Sequence, residues 1–274
     1  MLSRTTIVIP CFNEALRFKT EPFEQALEQR FLSFIFVNDG SDDSTGSILK
    51  TFAERNRARV SFLDCESNRG KGESVRLGML RALDSGAQIV GFWDADLSTP
   101  LSEILHLLHH LQVTHTAAVL GSRIRHLGTQ IERKLWRHLC GRVFATYSSV
   151  ALHLPVYDTQ CGAKLFRSSP KLKEALSEPF HSRWLFDIEL LGRLLTNGES
   201  SHALRTAEIV ELPLVTWREV SGSKISVLSI PRILFEMARV WGILRDCRTR
   251  LKNEDPSVPI AEPLLEKKRN RKTA

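Results

Sequence analysis

The sequence lacks long uninterrupted apolar runs. Its longest apolar tract, residues 225–244, is interrupted by Pro231, Arg232, Glu236 and Arg239, whereas a membrane-spanning helix requires about 20 predominantly apolar residues in a row. A signal peptide is not expected either, because the strand-like segment TTIVIP begins close to the first methionine. We therefore expect a protein without a transmembrane segment.

Paired cysteines are also absent. The five cysteines form no C-x-x-C pair and show no cysteine–histidine spacing that is typical of a metal site. Because disulfides are rare in reducing compartments, this odd set indicates a cytosolic protein.

No Gly/Ser-rich or Pro-rich linker interrupts the first 250 residues, so a single domain over residues 1–226 is expected rather than two. Its first half extends to about residue 121 and its second half covers 122–226. Residues 227–248 are predicted to form an amphipathic helix. Residues 249–274 are polar and end in EKKRNRKTA, which predicts a disordered basic tail.

The charge is more informative than the overall composition. Hydrophobic residues make up 42% and charged residues 25% of the chain, as in an ordinary soluble protein. The net charge of +7, however, indicates an anionic partner. Nucleic acid, an acidic lipid surface and phosphorylated ligands all fit this charge.

Five short apolar runs, mostly β-branched or aromatic, are typical of buried strands. They are residues 5–10, 34–38, 60–63, 88–93 and 117–120. Helical patterns lie between them, at about 14–30, 44–56, 72–86 and 101–113. This alternation predicts a mainly parallel sheet with helices on both faces.

The pattern changes after residue 121. A helical pattern covers 131–152, a strand-like one 208–217, a turn-like one 218–224, and an amphipathic helical one 232–245. In the last, Arg232, Glu236 and Arg239 are predicted on the polar side of the helix. The motif RWLFDIELL, residues 183–191, is compatible with a strand or a helix. Its large apolar residues, Trp184 included, are interpreted mainly as core.

Polar clusters follow four of the predicted strands. They are residues 11–14, 38–41, 68–72 and 94–96. In a parallel sheet, ligands bind at the carboxyl ends of the strands. These clusters therefore predict one site.

The stretch IVGFWDADLST ends a buried strand on Asp94 and Asp96. Two carboxylates two residues apart can both face a divalent cation, which takes oxygen ligands and is often shared with a substrate diphosphate. We therefore predict that both bind Mg²⁺ or Mn²⁺. A solvated turn is the alternative for such a short motif taken alone.

Three further residues of these clusters are candidates for ligand binding. Asp39 lies at a strand end and is predicted to contact a ribose or a base edge, while Glu14 suits either that role or a loop. Lys71, between two glycines at the start of a helix, suits a phosphate because backbone amides and an ammonium group converge there.

Taken in order, VIPCFNE, VNDGSDDST, NRGKG, DADLS, GSR and DTQCGAKLFR resemble the inverting nucleotide-sugar glycosyltransferases of family 2. The last motif, with RWLFDIELL and WREVSGSK, resembles the polyprenyl-phosphate branch, which contains the dolichyl-phosphate β-glucosyltransferases and mannose synthases. The resemblance spans residues 5 to about 226. It implies a GT-A fold, a nucleotide-sugar half followed by an acceptor half, and transfer to a polyprenyl phosphate.

The resemblance also assigns roles to individual residues. Pro10, Phe12, Glu14 and Asp39 match nucleoside contacts, with Lys71 in the loop beside them. Asp94 and Asp96 match the metal and diphosphate motif. Arg123 and one of Arg133 or Arg137 match the pair that binds the acceptor phosphate, and Arg218, Ser223 and Lys224 match a mobile loop over the donor diphosphate.

Ser98 departs from the mannose synthases, which tend to carry Gln at this position. The departure favours UDP-glucose as the donor over GDP-mannose and leaves one expected metal ligand unassigned.

The chemistry of the acceptor decides whether a general base is required. Guanidinium groups suit a phosphate monoester because they donate two parallel hydrogen bonds and stay charged. A phosphate is already anionic and can attack unaided, whereas a hydroxyl acceptor requires a base, for which Asp187 is the candidate. With a phosphate acceptor, Asp187 would orient the acceptor or an arginine instead.

The expected partners follow from this interpretation. They are a nucleotide sugar, a polyprenyl phosphate and an anionic membrane surface on the cytoplasmic side, where the 232–245 helix and nearby basic residues would bind peripherally. A separate membrane-anchoring partner or a homo-oligomer is also compatible with the sequence. A soluble hydroxyl acceptor remains an alternative, as does a binding protein without catalysis, but no nucleic-acid partner is expected.

Overall fold

The computed structural model describes residues 3–125, 127–132, 135–152, 154–196, 203–220 and 235–245, and only the backbone of residues 132 and 135–140. The predicted tail and the 221–234 segment therefore lie outside the described residues.

Seven strands form the central sheet in the spatial order β3-β2-β1-β4-β7-β5-β8. In chain order, the strands of this sheet and of a second, smaller sheet are β1 Thr5–Cys11, β2 Leu32–Asn38, β3 Val60–Asp64, β4 Ile89–Trp93, β5 Ala118–Ser122, β6 Gln130–Glu132, β7 Ala163–Arg167, β8 Ile209–Pro213 and β9 Thr216–Arg218. Within the sheet, β7 runs antiparallel to β4 and β5, and the other pairs are parallel. β6 and β9 form a separate parallel pair. The predicted mainly parallel sheet is confirmed.

Helices cover both faces of this sheet. They are α1 Glu21–Ala26, α2 Thr45–Arg55, α3 Lys71–Asp84, α4 Glu103–Thr114, α5 Leu135–Leu152, α6 Pro170–Ala175 and α7 Phe186–Leu195, followed by α8 at residues 235–245. One apolar core contains side chains of α3, α5, α6, α7 and α8, and the other contains side chains of α1, α2 and α4. Buried apolar faces on both sides of the sheet therefore fix the positions of the strand ends.

Three predicted elements differ from the structure. The helix expected at 14–30 is reduced to α1, because the chain forms a tight turn in which the carbonyl oxygen of Glu14 accepts hydrogen bonds from the amides of Arg17 and Phe18. The 131–152 pattern begins in β6, and the 208–217 pattern divides into β8 and β9. The motif RWLFDIELL, for which the sequence left strand and helix open, is helical from Phe186 onward.

The helix α8 packs one side against the domain. Val240 and Leu244 are buried in the core with residues of α7. Glu236, predicted on the polar outer side, is also buried, and its Oε2 accepts hydrogen bonds from Ser182 Oγ (2.5 Å) and the amide of Trp184 (3.2 Å). Among the described helices, none combines the length and the apolar character that crossing a bilayer would demand.

Candidate active site

A cavity of about 520 Å³ opens at the carboxyl ends of β1, β2, β4 and β5. Eight of the predicted site residues line it: Pro10, Phe12, Glu14, Asp39, Lys71, Asp94, Asp96 and Arg123. The sheet therefore brings the four polar clusters of the sequence together, and adds Arg123 from the end of β5.

Asp39 holds the glycine-rich loop against the cavity. Its two carboxylate oxygens accept hydrogen bonds from the backbone amides of Arg69 (2.8 Å) and Gly70 (2.9 Å). Gly70 has a φ of +95°, and a Cβ there would lie 2.6 Å from Nε of Arg183. Only glycine therefore fits this turn, which begins α3 at Lys71.

Lys71 forms an ion pair with Asp94 inside the cavity. Its Nζ lies 2.5 Å from Asp94 Oδ1. Burial alone would raise the pKa of the Asp94 carboxyl, but the ammonium of Lys71 and the more distant Lys164 and Arg123 outweigh burial, so the pKa is lowered. Burial would lower the pKa of Lys71, and Asp94 raises it above its usual value. Both groups are therefore charged at neutral pH.

The turn after β4 leaves Asp96 facing the cavity. Oδ1 of Asp96 accepts a hydrogen bond from the amide of Ser98 (2.9 Å), and Leu97 between them has a φ of +51°. A left-handed conformation at a leucine costs on the order of 1–3 kcal/mol and is common at functional sites. Gly162, from the loop before β7, lies against the other carboxylate, since a Cβ there would be 2.0 Å from Asp94 Oδ2.

These two carboxylates form an incomplete set of metal ligands. Within the described residues, no group of three or more histidine, cysteine, aspartate or glutamate side chains is arranged to hold a metal ion. A divalent cation at Asp94 and Asp96 would therefore take its remaining oxygen ligands from water and from a bound diphosphate. This chemistry fits Mg²⁺ or Mn²⁺, which commonly bind through one or two carboxylates and substrate phosphates.

Arg123 also lines the cavity, where it is paired with Asp158. Its Nε and Nη2 donate hydrogen bonds to Asp158 Oδ2 (2.6 Å) and Oδ1 (2.7 Å). The guanidinium carbon also lies 5.5 Å from the centre of the Trp217 ring, at a distance typical of a cation–π contact. The guanidinium is thus held on one edge and one face.

Asp187 is not among the described residues that line the cavity. It is buried in the first turn of α7, where its Oδ1 pairs with Lys164 Nζ at 2.6 Å. Burial raises the pKa of Asp187, against the opposing effect of the ammonium groups of Lys164 and Lys71.

The remaining predicted site residues fall elsewhere. Arg133, Ser223 and Lys224 lie outside the described residues, and only the backbone of Arg137 is described, in α5. Arg218 is exposed at the end of β9, and its amide donates a hydrogen bond to the carbonyl oxygen of Ser98 (2.9 Å). It is not in the described lining, although the next two residues, Glu219 and Val220, are.

Sequence reasoning missed several lining residues. They include Arg17, Gly162, Arg183, Trp184, Trp217 and Glu219. Trp184 was predicted as core but is 38% exposed, because it precedes α7 rather than belonging to it. Arg183 donates a hydrogen bond to the carbonyl oxygen of Asn68 (2.9 Å) and so joins the two halves of the cavity. The available sequence signal for these two lining residues was that Arg183 and Trp184, one basic and one aromatic, come shortly before a helix.

Known proteins resemble this chain in sequence and in fold. A dolichyl-phosphate beta-glucosyltransferase of Trichomonas vaginalis is 29% identical over 250 residues, which are 86% of this chain and 70% of that protein. A polyprenol monophosphomannose synthase of Mycolicibacterium smegmatis is 30% identical over 244 residues, covering 88% and 87%. Glucosyl-3-phosphoglycerate synthase from Mycobacterium tuberculosis, solved with Mn²⁺, UDP and phosphoglyceric acid, superposes with a TM-score of 0.60 at 18% identity, covering 89% of this chain and 78% of that one.

The structural likeness confirms the predicted GT-A fold. Residues 6–170, more than half of the chain, match the sequence pattern of the family described as "Glycosyl transferase family 2". The chain therefore belongs to glycosyl transferase family 2.

Proposed function

We propose that this enzyme transfers glucose from UDP-glucose to a polyprenyl phosphate and inverts the anomeric centre. The observation that carries the proposal is that Arg123 lines the same cavity as Asp94 and Asp96. Asp158 accepts hydrogen bonds from only two of the five N–H donors of this side chain. Such a site suits two phosphate-bearing ligands at once. The names of the relatives support it, since they are dolichyl-phosphate beta-glucosyltransferases and a polyprenol monophosphomannose synthase.

On the donor side, Pro10, Phe12, Glu14 and Asp39 would contact the nucleoside, and Lys71 would lie near the diphosphate. Asp94 and Asp96 would hold Mg²⁺ or Mn²⁺, which, when bound, neutralises charge on the leaving diphosphate. Lys71 is suited to this neighbourhood because it is a charged ammonium that is already directed at Asp94. The segment with Arg218, Ser223 and Lys224 would close over the diphosphate.

On the acceptor side, Arg123 and one of Arg133 or Arg137 would bind the phosphate of the lipid. A phosphate oxygen would form a bond to the anomeric carbon of glucose as the bond to the nucleoside diphosphate breaks and its electron pair leaves with that group. An α-linked donor would then give a β-linked product. No proton has to be removed, so Asp187 would act by positioning rather than as a base.

The choice of glucose over mannose as the transferred sugar depends on one local feature. Ser98 lines the cavity beside Asp96, where mannose synthases tend to carry Gln. A mannosyl enzyme using GDP-mannose is the second candidate, and the relative from Mycolicibacterium smegmatis favours it.

The exposed side of α8 would bind an anionic membrane. Phe235 is 70% and Trp241 is 40% exposed, and Arg239 and Arg245 are exposed on the same helix. Aromatic side chains and arginines together suit the interface of a bilayer with acidic lipids. The same surface would bring the cavity close to a lipid acceptor on the cytoplasmic face.

A donor and acceptor screen tests the proposal. UDP-glucose and GDP-mannose are each incubated with farnesyl phosphate and with farnesol, and the products are separated by chromatography. We expect transfer of glucose to farnesyl phosphate alone. Transfer to farnesol, or preference for GDP-mannose, would refute the acceptor or the sugar, respectively.

A further inference from the structure

We propose that Asp158 is the residue that positions Arg123 for the acceptor phosphate, an inference that rests on the function proposed above. Asp158 belongs to the loop between α5 and β7 and is buried beside the cavity rather than in its described lining. It would act through Arg123 and would not touch the substrate.

The hydrogen bonds divide the guanidinium into a held edge and a free edge. An arginine side chain has five N–H donors in a fixed plane. Asp158 accepts one from Nε and one from Nη2, and its Oδ2 also accepts from the backbone amide of Arg123 at 3.0 Å. Within the described part of the chain, Nη1 has no hydrogen-bond partner. Two donors on Nη1 and one on Nη2 therefore remain for a ligand of the cavity.

A second carboxylate holds Asp158 in turn. Glu211 accepts hydrogen bonds from the amide of Tyr157 (2.6 Å) and from the amide of Asp158. Glu211 lies in β8 opposite Leu120 of β5, the strand that ends at Ser122, directly before Arg123. The strand pair β5–β8 therefore fixes the backbone on both sides of the Arg123–Asp158 pair.

A matched pair elsewhere shows what a purely structural arginine looks like. Arg76 of α3 donates through Nε and Nη2 to the two oxygens of Glu73, each at 2.8 Å. Its Nη1, however, donates to the carbonyl oxygens of Leu176 (2.9 Å) and Ser177 (3.2 Å). The outer N–H donors of Arg76 Nη1 are thus bonded within the protein. Arg123 has the same carboxylate geometry but keeps those donors for the cavity.

The test compares the variants Asp158→Asn and Glu73→Gln, which break the two matched pairs. Charge-assisted hydrogen bonds contribute about 1.5–3 kcal/mol, so we expect Asp158→Asn to raise the KM for farnesyl phosphate about 10-fold to 100-fold. The KM for UDP-glucose should stay unchanged. Binding of farnesyl phosphate, measured by calorimetry without donor, should weaken by the same factor. Glu73→Gln should alter neither constant.

The outcomes of this comparison distinguish failure of the positioning role of Asp158 from failure of the proposed function. An active Asp158→Asn enzyme with unchanged KM and Kd for farnesyl phosphate would overturn the positioning role and leave the proposed function intact. Wild-type enzyme that neither binds nor glucosylates farnesyl phosphate would overturn both. If Asp158→Asn does not fold, Asp158→Glu carries the test, because it keeps the charge but moves the carboxylate, and a selective rise in KM for the acceptor is again expected.

Discussion

The ammonium nitrogen of Lys71 lies 2.5 Å from Oδ1 of Asp94, so an ion pair joins the glycine-rich loop to the Asp-Ala-Asp turn. Both side chains are more than a third exposed, and each charge favours the ionised form of the other, so both are charged before any ligand binds.

Removing the ammonium should change the pH dependence of the enzyme. Without Lys71, burial of Asp94 is no longer offset, so the pKa of its carboxyl should rise and the carboxylate should be protonated at higher pH. We expect the acid limb of the kcat/KM profile for UDP-glucose to move to higher pH in Lys71→Met. Lys71→Arg, which keeps the charge, should retain the wild-type limb. Superimposable profiles for Lys71→Met and wild type would contradict this coupling.

Gly162 is the position where the smallest substitution should have a large effect. An added Cβ would lie 2.0 Å from Asp94 Oδ2, so Gly162→Ala must displace this carboxylate. A displacement of about 1 Å at a reacting centre can cost roughly 100-fold in rate, and we expect a loss of kcat of this order. Gly242→Ala is the control, because nothing lies within 4 Å of its added Cβ. Equal steady-state rates for the two variants would show that the position of Asp94 does not matter.

The sequence predicted five strands of the sheet and their ends well because four of them, β1, β2, β4 and β5, are mainly buried and apolar, and polar residues of the cavity follow them. The strand predicted at 60–63 also forms, as β3, but only Val60 in it is buried. The sequence predicted the short-range surroundings of polar residues less well. Helical periodicity alone predicted Glu236 on the solvent side, but its carboxylate accepts hydrogen bonds from Ser182 Oγ and the amide of Trp184. Those two residues are more than 50 positions away in the chain, and only the folded structure brings them near. Asp158 likewise gained its partner Arg123 from a contact 35 positions away in the chain.

Asp187 should matter for stability more than for the chemical step. Removing one partner of a buried ion pair leaves the other charge unpaired, at a cost of about 3–5 kcal/mol. Asp187→Asn should therefore lower the melting temperature strongly because it isolates Lys164. The double variant with Lys164→Met should recover much of that loss. A folded Asp187→Asn enzyme with no activity, combined with an active Arg123→Ala enzyme, would instead support a hydroxyl acceptor with Asp187 as its base.

Chelation should abolish activity if Asp94 and Asp96 bind a cation. Among the described residues, no third histidine, cysteine, aspartate or glutamate is grouped with Asp94 and Asp96 to hold a metal ion, so the ion should be removable by EDTA. We expect loss of glucose transfer in EDTA and recovery on adding Mn²⁺ or Mg²⁺. Asp96→Asn should need a higher metal concentration for half-maximal rate. Full activity after exhaustive chelation would rule out the proposed metal role.

Binding to a membrane should depend on the exposed side of α8 and not on apolar exposure in general. Phe235 is 70% exposed, whereas Trp241 is 40% exposed and its ring centre lies 6.0 Å from that of Tyr147, so the variant Phe235→Ser can lose vesicle binding without losing core packing. Arg239→Gln should weaken binding to phosphatidylglycerol vesicles by about 1 kcal/mol, or roughly fivefold, and leave binding to phosphatidylcholine vesicles unchanged.

The control for this surface is Val113→Ser in α4, which removes an apolar side chain that is 63% exposed on a helix covering the other face of the sheet. Flotation with vesicles and thermal unfolding are measured for all variants. If α8 binds the membrane, the α8 variants float less while Val113→Ser floats like wild type, and none shows a marked change in melting temperature. Equal flotation of all four proteins would place the membrane-binding surface elsewhere, since exposed aromatic area on α8 would then contribute nothing to partitioning.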